Sequence, residues 1–325
     1  MIISKTPLRI SFVGGGTDIK KFYMNDFGSI VSVAINKYMY VLLDDHFYND
    51  HFRISYTSVE DVTDVNSIKH EIVKEAIRIS NANKGLQIIT TSDIPSEGSG
   101  LGSSSSLTVG LLSALYAWQG KKVSKERLAE EACKIEIEIL GAPIGKQDQY
   151  AAAYGGMNYI QFNSDETVNV NPIVISNTNK SELLGNLMLF YTGTTRKANP
   201  ILFDQQNQMD TKINIDYLIK MRDLCLPLKQ SIKENNFKRF GELINQNWKL
   251  KTKLSKKISN QKIDEYYEKA LREGAIGGKI LGAGGGGFML IYCDKKYQSN
   301  VRKALSDFEL VSFDFANNGS QVFVI

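Results

Sequence analysis

The segment that most limits how this chain can fold is Pro95-Ser96-Glu97-Gly98-Ser99-Gly100-Leu101-Gly102-Ser103-Ser104-Ser105-Ser106. It joins a β-branched run, Leu86 to Thr91, to an almost wholly apolar run, Leu107 to Trp118. The first predicts a strand and the second a buried helix. Gly98, Gly100 and Gly102 remove side chains at alternate positions, so backbone N–H groups can converge on an anion and let it approach. The helix start adds unpaired N–H groups and a partial positive charge. A flexible connector has a similar composition; the strand–loop–helix setting is what favours an anion site. This is not a Walker A loop, since its lysine is missing, and position 103 is serine where G-x-G-x-x-G needs glycine. Alone, the loop indicates phosphate binding and does not specify a reaction.

The rest of the chain bounds the class. At 325 residues it exceeds what one core usually supports. Two domains are expected, divided between residues 185 and 195 where Lys, Asn, Gln and Asp begin to dominate, and taken as 1–190 and 191–325. Thirty-nine basic against 35 acidic residues leave a net charge of +4. That is too balanced for a nucleic-acid partner and suits an anionic small molecule. Cys133, Cys225 and Cys293 are too far apart for a disulfide framework or zinc cluster, which points to a reducing compartment. His46, His51 and His70 form no ligand pattern, so no histidine metal site is expected. The N-terminal MIISKTPLRISFVGGG lacks the features of a signal peptide. No run reaches the about 18 apolar residues of a membrane span. A cytoplasmic protein with no membrane partner is expected.

Local patterns predict a strand over 2–13, broken at Pro7, and long β-branched pairing over 30–43. A short strand follows at 51–57 and a helix over 69–83. Ser124 caps a helix running to Leu140. Residues 151–162 and 187–191 read as strands. Helices are expected over 211–233, 235–256, 260–273 and 295–307, with strands at 288–293 and 321–325. The lysine-rich stretch 249–262 reads as a solvated helix face.

Three segments then line up. The 95–106 loop resembles the P-x-x-x-G-L-G-S-S motif of the GHMP kinases. Pro7-Leu8-Arg9-Ile10-Ser11-Phe12-Val13-Gly14-Gly15-Gly16-Thr17-Asp18 resembles their first, substrate-side motif. Lys279-Ile280-Leu281-Gly282-Ala283-Gly284-Gly285-Gly286-Gly287-Phe288 resembles the third, a glycine loop beside the ATP loop. The resemblance implies an α+β fold of two domains. An N-terminal α/β domain is joined to a C-terminal domain with a ferredoxin-like core, and the active site lies in the cleft. It also implies ATP as phosphoryl donor and Mg²⁺ as its metal.

By that resemblance, Pro95, Gly98, Gly100, Leu101, Gly102, Ser103, Ser104 and Ser105 hold the nucleotide. Ser104 and a glutamate on the later helix hold the metal. On a 3.6-residue helix Glu136 lies near the apolar face with Ala129, Ala132 and Leu140, whereas Glu138 groups with Arg127, Glu131 and Lys134. Glu136 is therefore the expected ligand, because a buried carboxylate without a partner is costly. Asp148, in Gly141-Ala142-Pro143-Ile144-Gly145-Lys146-Gln147-Asp148, matches the aspartate that faces the acceptor hydroxyl as base or orienting group. Gly15, Gly16, Thr17, Asp18 and Gly285 are expected on the acceptor side.

The strings R-I-S-F-x-G-G-G-T-D and G-x-P-I-G-K-Q-D-Q-Y look most like the heptose-phosphate kinases of bacterial surface-polysaccharide synthesis. These phosphorylate the anomeric oxygen of heptose 7-phosphate to give the 1,7-bisphosphate. A phosphorylated acceptor needs a cationic subsite, for which Arg9, Lys146, Arg196 and Lys197 are candidates, arginine being able to grip phosphate with two bonds. The expected partners are thus ATP and a small sugar phosphate. A kinase for an unphosphorylated sugar such as fucose, or a non-catalytic sugar and nucleotide sensor on the same fold, are the alternatives. A homodimer is left open.

Overall fold

The computed structural model describes residues 1–95, 98–194, 199–208 and 211–325. Seven strands precede residue 180: β1 (Ile2–Val13), β2 (Phe27–Asp45), β3 (Phe52–Ser55), β4 (Val59–Val62), β5 (Leu86–Ser92), β6 (Met157–Asn163) and β7 (Val168–Pro172). Five follow: β8 (Leu187–Tyr191), β9 (Ala275–Ile280), β10 (Phe288–Cys293), β11 (Glu309–Val311) and β12 (Gln321–Val324).

The larger sheet runs β12-β1-β2-β5-β3-β4, with β6 and β7 branching from β2. Strand β2 is long enough to serve two neighbours. Its first part, Phe27–Val33, pairs with β6, and its last part, Met39–Asp45, pairs with β5. Pro7 does not end β1. It sits at a register shift between Pro7 and Leu8, where the missing N–H is absorbed as a local irregularity. From Thr6 to Val13 every side chain of β1 is buried, so both faces of the strand are covered.

The smaller sheet is fully antiparallel, in the order β11-β8-β10-β9. Helices Lys212–Asp223, Cys225–Lys233, Phe237–Lys251 and Gln261–Arg272 lie between β8 and β9, and helix Gln298–Ala304 lies between β10 and β11. This is the ferredoxin-like arrangement of strands and helices. The final strand, β12, leaves this sheet and pairs with β1 in the larger one.

The two sheets share apolar core. Leu8, Ile10 and Phe12 of β1 belong to one buried cluster with Leu189, Phe240, Leu243 and Leu290. The Phe12 and Phe240 rings meet edge to face, with centroids 4.9 Å apart. Such a contact adds about 1 kcal/mol to the burial of the rings.

Two segments differ from the sequence expectation. Residues 151–162 are not one strand: Gln147–Tyr154 is a helix, and only Met157–Asn163 is extended. The run Ala151–Ala153 favours helix, and Gly155 and Gly156, both with positive φ, end it. The 249–262 stretch is not a single solvated face. Its helix ends at Lys251, whose side chain is buried. Among the described residues no helix is long and apolar enough to cross a membrane.

Candidate active site

A cavity of about 750 Å³ opens between the two sheets. Its walls include Arg9 of β1, the loop from Gly98 to Ser105, Asp18, Glu136 and Asp148, and Lys251, Lys279 and Gly282 from the C-terminal half.

Gly102 is the residue before helix Ser103–Trp118, and its φ of 79° puts it in the left-handed region. The first N–H groups of that helix have no partner within the helix, and they face the cavity side lined by Ser103, Ser104 and Ser105. Gly100 has a φ of 77°, and a Cβ there would come within 2.5 Å of the Leu281 carbonyl oxygen. A Cβ on Gly282 would in turn meet Gly100 Cα at 2.5 Å. The two glycine loops touch backbone to backbone, which only residues without side chains allow.

Glu136 lies in a π-helical turn, Lys134–Ile139, that continues helix Lys125–Cys133. Such turns are frequent at functional sites. Glu136 is 2% exposed, while Glu138 is exposed. The Ser104 hydroxyl donates to Glu136 Oε1 at 2.6 Å, and Gln149 Nε2 donates to Oε2 at 2.8 Å. Burial pushes the Glu136 carboxyl up, and the bonds from Ser104, Ser105 and Gln149 offset part of that. A serine hydroxyl against a buried carboxylate is a hard oxygen pair that fits a small divalent cation such as Mg²⁺. Among the described residues no three His, Cys, Asp or Glu side chains gather to enclose a metal. Mg²⁺ here would keep water and phosphate oxygens as its other ligands.

Asp148 stands in the first turn of helix Gln147–Tyr154. Arg9 Nε and Nη2 donate to its two carboxylate oxygens, each at 2.7 Å. Arg9 Nη1 donates to the Gly100 carbonyl oxygen at 2.6 Å. The arginine therefore ties the aspartate to the glycine loop.

Asp18 is buried beside this pair. Its carboxylate accepts from the Gly16 N–H at 2.9 Å and the Gln147 N–H at 3.2 Å. Burial, and next the charge of Asp148, push the Asp18 carboxyl up to about 6. Gly15 and Gly16 also line the cavity. A Cβ on Gly145 would lie 2.1 Å from Asp18 Oδ2, so glycine there makes room for the carboxylate. Among the described residues, Ser11 and Gln147 each present a buried oxygen without a partner.

Several residues expected at the site lie elsewhere. Thr17 is fully buried, with its hydroxyl 2.8 Å from the Gly14 carbonyl and 2.9 Å from that of Ser29, so it braces the turn. Lys146 bonds Glu166 at 2.6 Å and does not line the cavity. Gly285 donates its N–H to the Ile258 carbonyl oxygen, and Leu101 is core, neither lining the cavity. Pro95 is exposed and lies outside the lining. Arg196 and Lys197 lie outside the described residues.

Two residues given no role in the sequence reading do face the cavity. Lys251 is 4% exposed and bonds the Gly282 carbonyl; Lys279 is 2% exposed and donates to the carbonyls of Ser11, at 2.8 Å, and Phe12, at 3.1 Å. Burial, and next the nearby Arg9, push the Lys251 ammonium down to about 8. Burial and the adjacent Lys251 lower Lys279 well below the usual lysine range. A signal for Lys251 existed, because Phe237, Phe240, Ile244 and Trp248 form a buried stripe that Lys251 continues at helical spacing.

Comparison with known proteins places this geometry. The description "GHMP kinases N terminal domain" matches residues 67–156, and "GHMP kinases C terminal" matches residues 228–309. A D-glycero-alpha-D-manno-heptose 7-phosphate kinase of Campylobacter jejuni is 31% identical over 318 residues, covering 94% of this chain and 93% of that protein. The crystal structure of a D-glycero-D-manno-heptose 1-phosphate kinase from Bacteroides thetaiotaomicron superposes with a TM-score of 0.83 at 25% identity, covering 100% of this chain and 99% of that one. A putative sugar kinase from Campylobacter jejuni gives 0.81 at 29% identity, covering 100% and 98%.

Proposed function

The chain belongs to the GHMP kinase family, as an ATP-dependent phosphotransferase with an alcohol group as acceptor, and from that premise we propose that its acceptor is D-glycero-α-D-manno-heptose 7-phosphate. The γ-phosphoryl of ATP goes to the anomeric hydroxyl, giving the 1,7-bisphosphate. The observation that carries the choice of sugar is the likeness, over 94% of the chain, to a heptose 7-phosphate kinase. The cavity supports it physically. Its volume suits two bound ligands, and its wall combines sugar-binding carboxylates with phosphate-binding N–H groups and cations.

Phosphoryl transfer asks a protein mainly to position its reactants and neutralise charge. The N–H groups from Gly98 to Ser105 cradle the triphosphate. Ser104 and Glu136 would hold Mg²⁺, which would neutralise charge on the phosphate oxygens. Asp18, with the backbone of Gly15 and Gly16, holds sugar hydroxyls. Asp148 orients the anomeric hydroxyl and receives its proton as the new O–P bond forms and the Pγ–O bond to ADP breaks. Its pairing with Arg9 aims its carboxylate at one place. Arg9 and Lys146 are both engaged with carboxylates, and Arg196 and Lys197, outside the described residues, stay the other candidates for the acceptor's own phosphate.

A coupled assay of ADP release with heptose 7-phosphate, mannose, fucose and galactose tests the reading. Turnover with heptose 7-phosphate at least about tenfold above the others in kcat/KM is expected, a preference equal to one charge-assisted contact to the acceptor phosphate. Turnover confined to a sugar without phosphate would replace the acceptor and leave the kinase intact. ATP binding with no turnover on any sugar would favour a sensor.

A further inference from the structure

We propose that Lys251, backed by Lys279, is the cationic contact for the phosphoryl group during transfer, taking the place of the lysine that the glycine loop lacks. The inference rests on the kinase reading above and adds a residue to it.

The loop between Gly98 and Ser105 contains no basic side chain, and its N–H groups approach the phosphates from one side only. Charge on the other side must come from elsewhere in the cavity. Arg9 is already engaged, with three of its donors on Asp148 and Gly100. Lys251 is not. Its ammonium bonds the Gly282 carbonyl, and an ammonium has three donors, so two remain for a ligand.

The two lysines are also in an unusual electrostatic state. Both are almost fully buried, both line the cavity, and among the described residues neither has a carboxylate within ion-pair distance. A buried charge without a counter-charge is strongly disfavoured. Besides burial, the Arg9 guanidinium lowers the proton affinity of Lys251, and Lys251 and Arg9 lower that of Lys279. An anion entering the cavity supplies the counter-charge that both lysines lack.

Position identifies the anion. Lys251 is fixed to Gly282, whose backbone abuts Gly100 of the phosphate loop. It also lies within the fields of Asp18 and Asp148 on the acceptor side. The space between loop and carboxylates is where the phosphoryl group must pass. During the step the acceptor oxygen gains a bond to Pγ, Pγ loses its bond to the ADP oxygen, and the hydroxyl proton goes to Asp148. Lys251 stays protonated throughout and neutralises the equatorial oxygens. A lysine suits this role, because its compact charge on a flexible stem can follow a moving group.

The test compares Lys251→Met and Lys251→Arg with the unmodified protein. Affinities for ADP and for a non-hydrolysable ATP analogue are measured calorimetrically with Mg²⁺, alongside kcat and both KM values. In Lys251→Met, analogue affinity should fall at least about tenfold, the size of one lost charge-assisted bond, with ADP affinity unchanged. Its kcat should fall at least about 100-fold. Lys251→Arg should recover part of both. Unchanged discrimination between analogue and ADP overturns the proposal. So does a raised acceptor KM with unchanged kcat, which would move Lys251 to the acceptor's phosphate. If Lys251→Met does not fold, Lys251→Gln, which keeps a donor for Gly282, is read by the same criteria. Failure of the unmodified protein to bind nucleotide would instead sink the kinase reading.

Discussion

Arg9 and Asp148 lie 139 positions apart and form a parallel two-bond pair, Nε to Oδ1 and Nη2 to Oδ2, each 2.7 Å. The third arginine donor holds Gly100, so one side chain sets the distance between the proposed base and the phosphate loop. Arg9→Lys keeps the charge but loses the fork. It should lower kcat about 100-fold through misplacement of Asp148, with little change in KM for ATP. Asp148→Asn should lower kcat by about 100-fold or more. Steady-state ADP release checks both, and a kcat for Arg9→Lys near the unmodified value removes the positioning role.

Glu136→Gln separates metal binding from stability. The raised proton affinity of Glu136 means the empty folded state is penalised for its charge above the usual carboxylate range. Glutamine keeps the shape and removes that charge. The thermal midpoint in EDTA should therefore stay level or rise. The Mg²⁺ concentration for half-maximal activity should rise at least about tenfold. A fall in midpoint with unchanged Mg²⁺ dependence would make Glu136 a structural group.

Asp18 gives the protein a pH signature. Its carboxyl titrates at about 6 when folded, against an ordinary 3.8. The folded state thus holds the proton more tightly, and this group's contribution to stability is lost as pH rises from about 4 to about 6. The full effect is at most about 3 kcal/mol. In ligand-free protein, Asp18→Asn should abolish this component, so its midpoint gains on the unmodified protein between those pH values. Acceptor KM should rise in the same variant. Parallel pH curves for the two proteins would contradict the burial of an ionisable Asp18.

The contact between the glycine loops is testable at Gly100. Gly100→Ala must hold a φ of 77° and a Cβ 2.5 Å from the Leu281 oxygen. Gly120→Ala is the control, since Gly120 has a φ of 70° with nothing within 4 Å of its Cβ. Both carry the backbone strain of about 1 kcal/mol; only Gly100→Ala adds a steric clash. Urea denaturation should find Gly100→Ala the less stable, with a raised KM for ATP. Equal losses would mean the loops can separate freely.

Much of this site was legible because its parts are local. The 95–106 loop, Glu136 and Asp148 each stand in a short segment whose residue types suit their surroundings. The preference for Glu136 over Glu138 followed from helical facing, and the buried position agrees with it. Contacts between distant segments were not legible. Nothing near Thr17 or Lys146 announces that Ser29 or Glu166 will meet them. Lys251 was hidden for another reason: a run of lysines reads as solvated, although its stripe with Trp248 and Ile244 pointed inward.

The edge-to-face contact of Phe12 with Phe240 has a mechanical corollary. Those rings belong to one apolar cluster that includes residues from both sheets. Spreading the cleft by swinging one sheet away from the other would expose that cluster to water. The seam between the sheets is thus a weld, and opening it carries the cost of wetting those side chains. Arg9 stands on the same strand as Phe12, so the side chain that holds Asp148 is rooted in that seam.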